Sequence, residues 1–370
     1  MSTSNTHLIE NLNNATFWIN RISPMLSIIF GTFGNFFNLI IFTRRSLRNN
    51  PCSIYFLAGS IANFFVIYVA LLTRYLATSW NWDPTATNMA WCKIRYFLIY
   101  PALSLVLWFI VLASIDRYFS SSHNIRRRQL STVVIARKNI IYTTVFMFLI
   151  NIHSLIFARS IVINNVPSCT ILPNDYLVFF NLFVPIISCI LPLILMGIFG
   201  ILTILNVRTV RNRIEPHQNN NRNERLRSND RQLIIMLLSQ ITIIFIIVAP
   251  WSIINMYSAI GTVIFNVQFS TNGQAIYNFS FNLFRMLYYI NPVVGFYIYT
   301  LSGHRFRVEI KHCLQHGLKF ILTAFGLIQN QNQMNNNNTN NIITSFTLRT
   351  GRNTVHPDQH QRQINRTSIV

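Results

Sequence analysis

Acidic side chains are scarce in this chain: Asp and Glu together number 9 among 370 residues. Charged residues of both signs make up only 11% of the sequence, whereas hydrophobic residues make up 51%. A soluble domain carries about 25% charged residues, so this composition excludes an ordinary soluble protein and indicates a membrane protein. The shortage of acids also leaves a formal net charge of +21, which by itself would suit a protein that binds nucleic acid.

Charge is absent from long stretches of the sequence, and seven apolar runs are each long enough to cross a bilayer, which takes about 20 helical residues. The seventh run has the weakest hydropathy signal, because it contains Asn278, Asn282, Arg285 and Asn291. The predicted fold is all-α, an integral membrane bundle of seven helices near 22–43, 54–76, 93–116, 139–163, 177–206, 232–258 and 276–301.

Lysine and arginine are missing from three connections between these runs, 77–91, 164–176 and 259–275. Most of the 30 basic residues lie instead in the alternate connections and the C-terminal tail. This positive-inside pattern predicts a multi-pass plasma-membrane protein with an extracellular N-terminus and a cytoplasmic C-terminus. Because the positive charge is spread over membrane-edge loops, nucleic-acid binding is excluded and membrane lipid is the expected partner.

Polar segments flank the seven runs and define four predicted regions. Asn14 begins an Asn-Ala-Thr pattern, an acceptor for N-glycosylation on the extracellular side. The regions are an extracellular N-terminal tail 1–21, a seven-transmembrane domain 22–301, an amphipathic membrane-surface helix 302–322 and a disordered cytoplasmic tail 323–370.

The predicted amphipathic helix contains Cys313, a candidate for palmitoylation next to a cytoplasmic leaflet whose anionic lipid would attract the helix. His312 and His316 have the spacing of metal ligands on a helix. With no acidic partner placed near them, two solvated histidines are the better interpretation, and we expect neither a metal site nor a cofactor.

The five cysteines are sorted by the predicted topology. Cys92 opens the third run at the extracellular face and Cys169 lies in an extracellular connection, so both are in the oxidising compartment. Since no other extracellular cysteine competes for either, a Cys92–Cys169 disulfide is favoured over two unpaired thiols. Cys52 and Cys313 fall on the cytosolic side, and Cys189 lies within a span.

The third run ends in Asp116-Arg117-Tyr118. Arg117 lies about 37 Å along the helix from Cys92, which places it at the inner end of the span. Asp230 lies about 30 Å from Pro250 along the sixth run and reaches the same depth. One interpretation is an ordinary interfacial charge that extends to the headgroups. The depth of Asp230 favours a second interpretation, in which Arg117 and Asp230 form an ion pair that joins two spans and can be broken.

Other residues stand at positions typical of one family. With the seven spans they make the chain resemble a rhodopsin-like G-protein-coupled receptor over roughly residues 25–320, a divergent one with a likeness to neuropeptide receptors. The residues that carry this resemblance are Gly34-Asn35, Cys92, Cys169, Asp116-Arg117-Tyr118, Pro192, Pro250, Asn291-Pro292 and Phe306.

The resemblance implies a signalling role. Arg117 would be released from its acidic neighbours on activation and would help to form a cytosolic cavity for a heterotrimeric G protein, while the two prolines kink the helices that move. The residues implied in coupling and switching are Asp116, Arg117, Tyr118, Asp230, Pro250, Asn291 and Pro292.

Several residues usual in the family are replaced here. Asn63 stands in place of the acidic residue that coordinates sodium, and Val248 in place of the switch tryptophan, with Trp251 after the proline instead. Gly200 and Gly295 occupy positions where tyrosines are usual. We expect a divergent receptor whose internal switch uses other side chains.

The ligand is constrained mainly by exclusion. Ile99 stands where amine receptors place an aspartate, and Arg285 where opsins place the retinal lysine. Arg95 and Arg285 would meet an anionic or carbonyl-rich part of a ligand, or else pair with Asp175 or with backbone carbonyls. A neuropeptide is the preferred ligand class, and a small anionic chemosensory ligand is the alternative. The predicted ligand-binding residues are Arg95, Tyr96, Ile99, Tyr100, Asn255, Phe281, Arg285 and Tyr288.

Two other classes of membrane protein fit less well. Coupled transporters usually show internal repeats and intramembrane acids, whereas no repeat is visible and Asp116 and Asp230 lie at the ends of their spans. An intramembrane enzyme would need a metal cluster or a nucleophile–base pair, and His153 is an isolated polar residue. We therefore expect no catalytic residues.

Overall fold

The computed structural model describes residues 3–45, 47–163, 166–213, 221–264 and 269–324. The chain divides into two units, 1–311 and 312–370. The first unit contains a bundle of long helices. The described part of the second unit is the C-terminal portion of one helix, which ends at Ala324 and carries the half-buried Cys313.

Helices account for nearly all of the described secondary structure, and one antiparallel hairpin accounts for the rest. Three helical segments are wound as π-helix: Val66–Leu72, Ile186–Ile190 and Ser258–Ile264. The elements are α1 (Thr3–Phe42), α2 (Pro51–Phe65), α3 (Thr73–Trp80), α4 (Pro84–Thr87), α5 (Met89–Ser120), α6 (Ile125–Arg128), α7 (Val133–Ile150), α8 (Ser154–Phe157), β1 (Ala158–Ile163), β2 (Val166–Ile171), α9 (Asn174–Pro185), α10 (Leu191–Arg213), α11 (Asn221–Tyr257), α12 (Thr271–Ser302) and α13 (His304–Ala324).

Six helices in the described residues are long and apolar enough to cross a membrane. They correspond to the first six predicted runs: α1, α2 to α3, α5, α7 to α8, α9 to α10, and α11. The seventh predicted run is α12, which packs along α1 and α11. Its amides and Arg285 lower its hydropathy, so position in the bundle identifies it better than composition does.

The predicted fourth run, 139–163, is wrong at its C-terminal end. Residues Ala158–Ile163 leave the helix and form β1, which pairs with β2 so that Ser160 faces Cys169. Cys169 in turn forms the predicted disulfide with Cys92 at the start of α5, with the two Cα atoms 5.7 Å apart. The link ties the hairpin to α5, and the β-branched residues at the end of β1 favour a strand although their hydropathy matches a span. We call this end of the bundle the disulfide end.

Close packing of α1 against its neighbours depends on small and polar residues. A Cβ atom added to Gly34 would lie 2.9 Å from Cβ of Phe296 on α12, so glycine permits the contact between the two helices. Next to it, the buried Asn35 donates hydrogen bonds to the carbonyls of Gly31 and Pro292, both 2.8 Å long. Asn63 donates to Asn35 Oδ1 at 2.9 Å. One amide therefore joins three spans.

The opposite end of the bundle, which we call the Arg117 end, has an aromatic core. Phe56 and Tyr299 lie 4.9 Å apart between ring centroids, and Phe42 lies 5.5 Å from Phe306 of α13. All four side chains are buried. Phe306 therefore anchors the start of α13 to the first and seventh spans, as its position after the seventh run suggested.

The third and fifth spans are joined by polar contacts at the π-helical segment Ile186–Ile190. Trp108 Nε1 donates to the carbonyl of Ile187 at 3.0 Å, and Ser104 and Ser188 share a hydrogen bond of 2.5 Å. A buried polar group in an apolar bundle is costly unless it is paired, so these contacts should stabilise the packing of α5 against this segment.

Replacing Trp108 by Phe should lower the thermal stability of the purified protein, because it removes the donor to Ile187 and leaves that carbonyl unpaired. The expected loss is about 1 kcal/mol, measured by thermal unfolding in detergent. Trp91→Phe is the matched control, since Trp91 is exposed and should tolerate the same change. Equal shifts for the two variants would contradict the role of this hydrogen bond.

Candidate functional site

A cavity opens at the disulfide end of the bundle. Its volume is about 370 Å³, and its walls come from the second, third, fifth, sixth and seventh spans and from β2. The lining residues are aromatic, polar and cationic: Arg74, Arg95, Tyr96, Ile99, Tyr100, Leu103, Cys169, Phe180, Asn181, Val184, Pro185, Ser188, Cys189, Trp251, Asn255, Phe281, Arg285, Tyr288 and Tyr289.

All eight residues predicted to bind ligand line this one cavity. The depth of each residue along its helix could be predicted from the sequence, because Cys92 marks the disulfide end of α5 and Pro292 marks a reference position along α12.

Arg74 is the most informative lining residue that the sequence reasoning missed. Its position inside the second predicted run was a signal, because a cation within a span is costly and usually functional. Trp251 and Phe180 were missed as well. Trp251 packs at the base of the aromatic wall, with its ring centroid 5.1 Å from that of Phe281 and 6.0 Å from that of Tyr288.

The three lining arginines differ in their partners. Arg95 Nη1 donates to Thr85 Oγ1 at 3.2 Å, and Thr85 Oγ1 donates to Asp83 Oδ1 at 2.5 Å. Arg285 donates to Asn282 Oδ1, and its guanidinium carbon lies 5.5 Å from the ring centroid of Phe281. In the described structure the side chain of Arg74 makes no hydrogen bond or ion pair, and Nε of each arginine is buried without a partner.

A second cluster lies at the Arg117 end. Arg117 is 1% exposed, and its Nη2 donates to Asp116 Oδ2 at 2.8 Å and to Asn50 Oδ1 at 3.1 Å. The other carboxylate oxygen of Asp116 accepts from Ser131 Oγ at 2.7 Å. We call these four residues, Asn50, Asp116, Arg117 and Ser131, the Arg117 cluster. Two connecting loops thus supply its polar partners.

Asn50 has a further structural task, because its side chain caps the N-terminus of α2 by accepting from the backbone N–H of Cys52 at 3.0 Å. Tyr118, the third residue of the triplet, accepts a hydrogen bond of 2.9 Å from Arg127 on α6. Asp230, the predicted partner of Arg117, lies on α11, but its side chain is outside the described residues.

The remaining predicted switch residues lie inside helices. Pro250 is within α11 and Pro292 within α12. Asn291 is 6% exposed and lines a small polar pocket together with Asn63, Gln240 and Tyr299. In that region Tyr299 Oη donates to Gln240 Oε1 at 2.8 Å, which joins α12 to α11.

Comparison with known proteins agrees with this architecture. The model of the 7 transmembrane receptor (rhodopsin family) matches residues 34–299. The chain belongs to this family. It is also similar to C-C chemokine receptor 1-like protein 1 of Mus musculus, with 26% identity over 305 residues that cover 81% of each chain. The receptor is thus a multi-pass membrane protein of a family of receptors, not of enzymes.

Two residues that depart from the pattern expected from the sequence, Gly295 and Asn63, take part in contacts between helices. Gly295 stands where a tyrosine was expected, and a Cβ atom at that position would lie 3.9 Å from Gln240 Nε2. The glycine leaves room for Gln240, and Tyr299, one turn further along α12, supplies the hydroxyl between the sixth and seventh spans. Asn63 is occupied by its bond to Asn35.

Replacing Asn50 by Ala should lower the melting temperature more than the loss of a helix cap explains. The variant loses the cap of α2, worth about 1 kcal/mol, and also removes an acceptor from the buried Arg117. Asn50→Asp should retain both roles and add a carboxylate beside the guanidinium.

The matched control is Asn124→Ala, which removes only the cap of α6, where Asn124 accepts from Arg126 N. Thermal unfolding of the purified receptor measures all three variants. Equal losses for Asn50→Ala and Asn124→Ala would show that the contact with Arg117 contributes nothing.

Proposed function

We propose that this receptor binds an extracellular ligand, a peptide, between its helices at the disulfide end and activates a cytosolic heterotrimeric G protein at the Arg117 end. The observation that carries the proposal is the arrangement of two polar sites in one apolar bundle. One is an open cavity lined by three arginines and by no acidic residue among its described lining, and the other is a buried arginine with an aspartate as its counterion.

The orientation in the plasma membrane follows from charge. Arg44, Arg45 and Arg48, the three arginines of α6, and Arg208 of α10 all belong to the Arg117 end, which the positive-inside rule assigns to the cytosol. The disulfide then lies in the oxidising compartment. This orientation gives an extracellular ligand access to the cavity.

A peptide is supported by the chemistry of the cavity wall. Tyrosine, tryptophan and arginine side chains supply most of the binding energy in protein recognition, and all three types line this cavity. The mouse relative is named as a chemokine receptor-like protein, which also favours a polypeptide ligand. Asn14 is exposed on α1 at this end, as glycosylation there would require.

A small anionic chemosensory ligand is the second candidate, and the three lining arginines favour it. Pools of peptides and of small anions, applied to cells that carry a promiscuous G protein as reporter, distinguish the two. Responses to peptide pools alone support the first candidate, and responses to anions alone support the second.

Signal transfer would use helices that reach both sites. Trp251 and Gln240 lie on α11, and Arg285 and Tyr299 lie on α12, so each helix contacts the cavity at one end and the aromatic core at the other. Pro250 and Pro292 interrupt the backbone hydrogen bonding of these helices and provide the points of bending. Displacement of α11 would then open the Arg117 cluster to the G protein.

Replacing Arg117 by Gln should abolish ligand-independent and ligand-dependent G-protein activation and leave surface expression unchanged. The reason is that the Arg117 guanidinium becomes exposed when the Arg117 cluster opens and then contacts the G protein. Basal cAMP, calcium and GTPγS-binding assays measure coupling, and cell-surface labelling measures expression. Arg137→Gln, at an exposed arginine of α7, is the control and should couple normally.

Neutralising Asp230 should raise basal signalling, because its carboxylate is proposed to hold Arg117 against α11 in the resting receptor. Asp230→Asn is compared with Glu309→Gln, which removes the ion pair of 3.2 Å with Arg44 and leaves Arg117 untouched. Only the first should increase basal activity. If the Arg117 and Asp230 variants both signal like the parent, the proposed release of Arg117 is wrong.

A further inference from the structure

The cavity at the disulfide end carries more positive charge than the described residues around it compensate. Arg74, Arg95 and Arg285 line it, and none of its described lining side chains is acidic. The two ion pairs found in the described residues, Arg44–Glu309 and Asp116–Arg117, are both at the other end of the bundle. Guanidinium groups remain protonated in proteins, so three positive charges converge on one small volume.

One of the three charges is compensated indirectly. Arg95 donates to the hydroxyl of Thr85, and that hydroxyl donates to the carboxylate of Asp83. Asp83 also accepts from the backbone N–H of Thr85 at 3.0 Å, which fixes the carboxylate as the cap of α4. Through this chain of bonds a fixed negative charge faces Arg95.

No such relay is found for Arg74 or Arg285 within the described structure. Arg285 is held by the neutral amide of Asn282 and by the face of Phe281, neither of which supplies a full negative charge. Arg74 has no side-chain partner there. Two like charges in a half-buried cavity repel each other, because burial removes part of the water that would screen them.

We propose that the part of the ligand that enters this cavity carries two negative charges, as in a peptide that ends in Asp or Glu with a free α-carboxylate. Arg74 and Arg285 each bind one carboxylate and thereby determine specificity for the dianion. The inference rests on the proposed ligand-binding role of the same cavity. It restricts the proposed ligand to peptides whose last residue is acidic and whose C-terminus is not amidated.

The geometry suits such an end group. Arginine forms paired hydrogen bonds with a carboxylate, and the side chains of Arg74 and Arg285 both line this cavity. Tyr96, Tyr100 and Phe180 form an aromatic wall in which the Tyr100 and Phe180 centroids are 4.7 Å apart. An apolar side chain next to the acidic end of the peptide would pack there.

The test uses three probes of one shape and different charge: N-acetyl-Phe-Glu as the free acid with two carboxylates, its C-terminal amide with one, and N-acetyl-Phe-Gln-amide with none. The full-length receptor is purified in nanodiscs of phosphatidylcholine, and the melting temperature is recorded at constant ionic strength. Binding to the folded state raises it, so the shift should increase with the number of carboxylates.

Arg74→Gln and Arg285→Gln should each weaken binding of the dianionic probe by roughly tenfold or more and leave the monoanionic amide less affected. Arg159→Gln, at an exposed arginine of β1, is the control and should retain the parent preference. Asp175 is close in sequence to the cavity residues of α9, and its side chain lies outside the described residues. Asp175→Asn tests whether this carboxylate neutralises one of the arginines. It should not change the preference for the dianionic probe.

A second measurement needs no bound probe. In chloride buffer without a probe, Arg74→Gln should raise the melting temperature of the receptor, because it removes an uncompensated charge. If Arg74 were part of a structural ion pair, the same substitution would lower the melting temperature. Equal shifts from all three probes, or a loss of stability in Arg74→Gln together with Asp175→Asn, would overturn the proposal. Parent-like signalling by the Arg117 and Asp230 variants would contradict only the proposed release of Arg117 at the other site, so the two proposals fail separately.

A small dicarboxylate such as glutarate serves as the last arm. If glutarate shifts the melting temperature as much as the dianionic dipeptide does, the site binds small dianions, and the proposal that it binds the C-terminus of a peptide is wrong. A larger shift with the dipeptide supports it.

Discussion

A guanidinium group inside an apolar helical bundle must be neutralised, and this requirement accounts for the polar contacts at both ends of the receptor. At one end, Arg117 is almost fully buried and finds its counterion in the adjacent residue, with amide and hydroxyl groups from two loops completing the cluster. At the other end, Arg74 and Arg285 face a cavity with no acidic lining among the described side chains. The charge of the first site is neutralised within the bundle, and we propose that a ligand neutralises the second.

The connection between these sites is mechanical. Between the disulfide and the Arg117 cluster, α5 is one continuous helix, fastened to the fifth span by Trp108. Both α11 and α12 line the cavity and meet again through Gln240 and Tyr299. A ligand that draws Arg285 and Trp251 inward would therefore strain the contact that holds α11 beside α12, and packed helices respond by moving as rods rather than by deforming locally.

The sequence was sufficient for features determined by composition and by depth along a helix. The spans, the disulfide and the eight cavity residues follow from hydropathy, compartment and helical rise. Long-range packing determines the rest. The strand Ala158–Ile163 pairs with a strand that a disulfide ties to Cys92, Asn50 binds Arg117 from a loop, and a π-helical turn, Val66–Leu72, precedes Arg74 in the second span. None of these is encoded in local periodicity.

The exchange of partners by Arg117 is the central claim, and a structure of the receptor bound to its G protein tests it most directly. The account predicts that Arg117 has left Asp116, that its guanidinium faces the G protein, and that α11 has moved away from α5. A complex in which Arg117 Nη2 still donates to Asp116 and Asn50, with α11 in place, would contradict it.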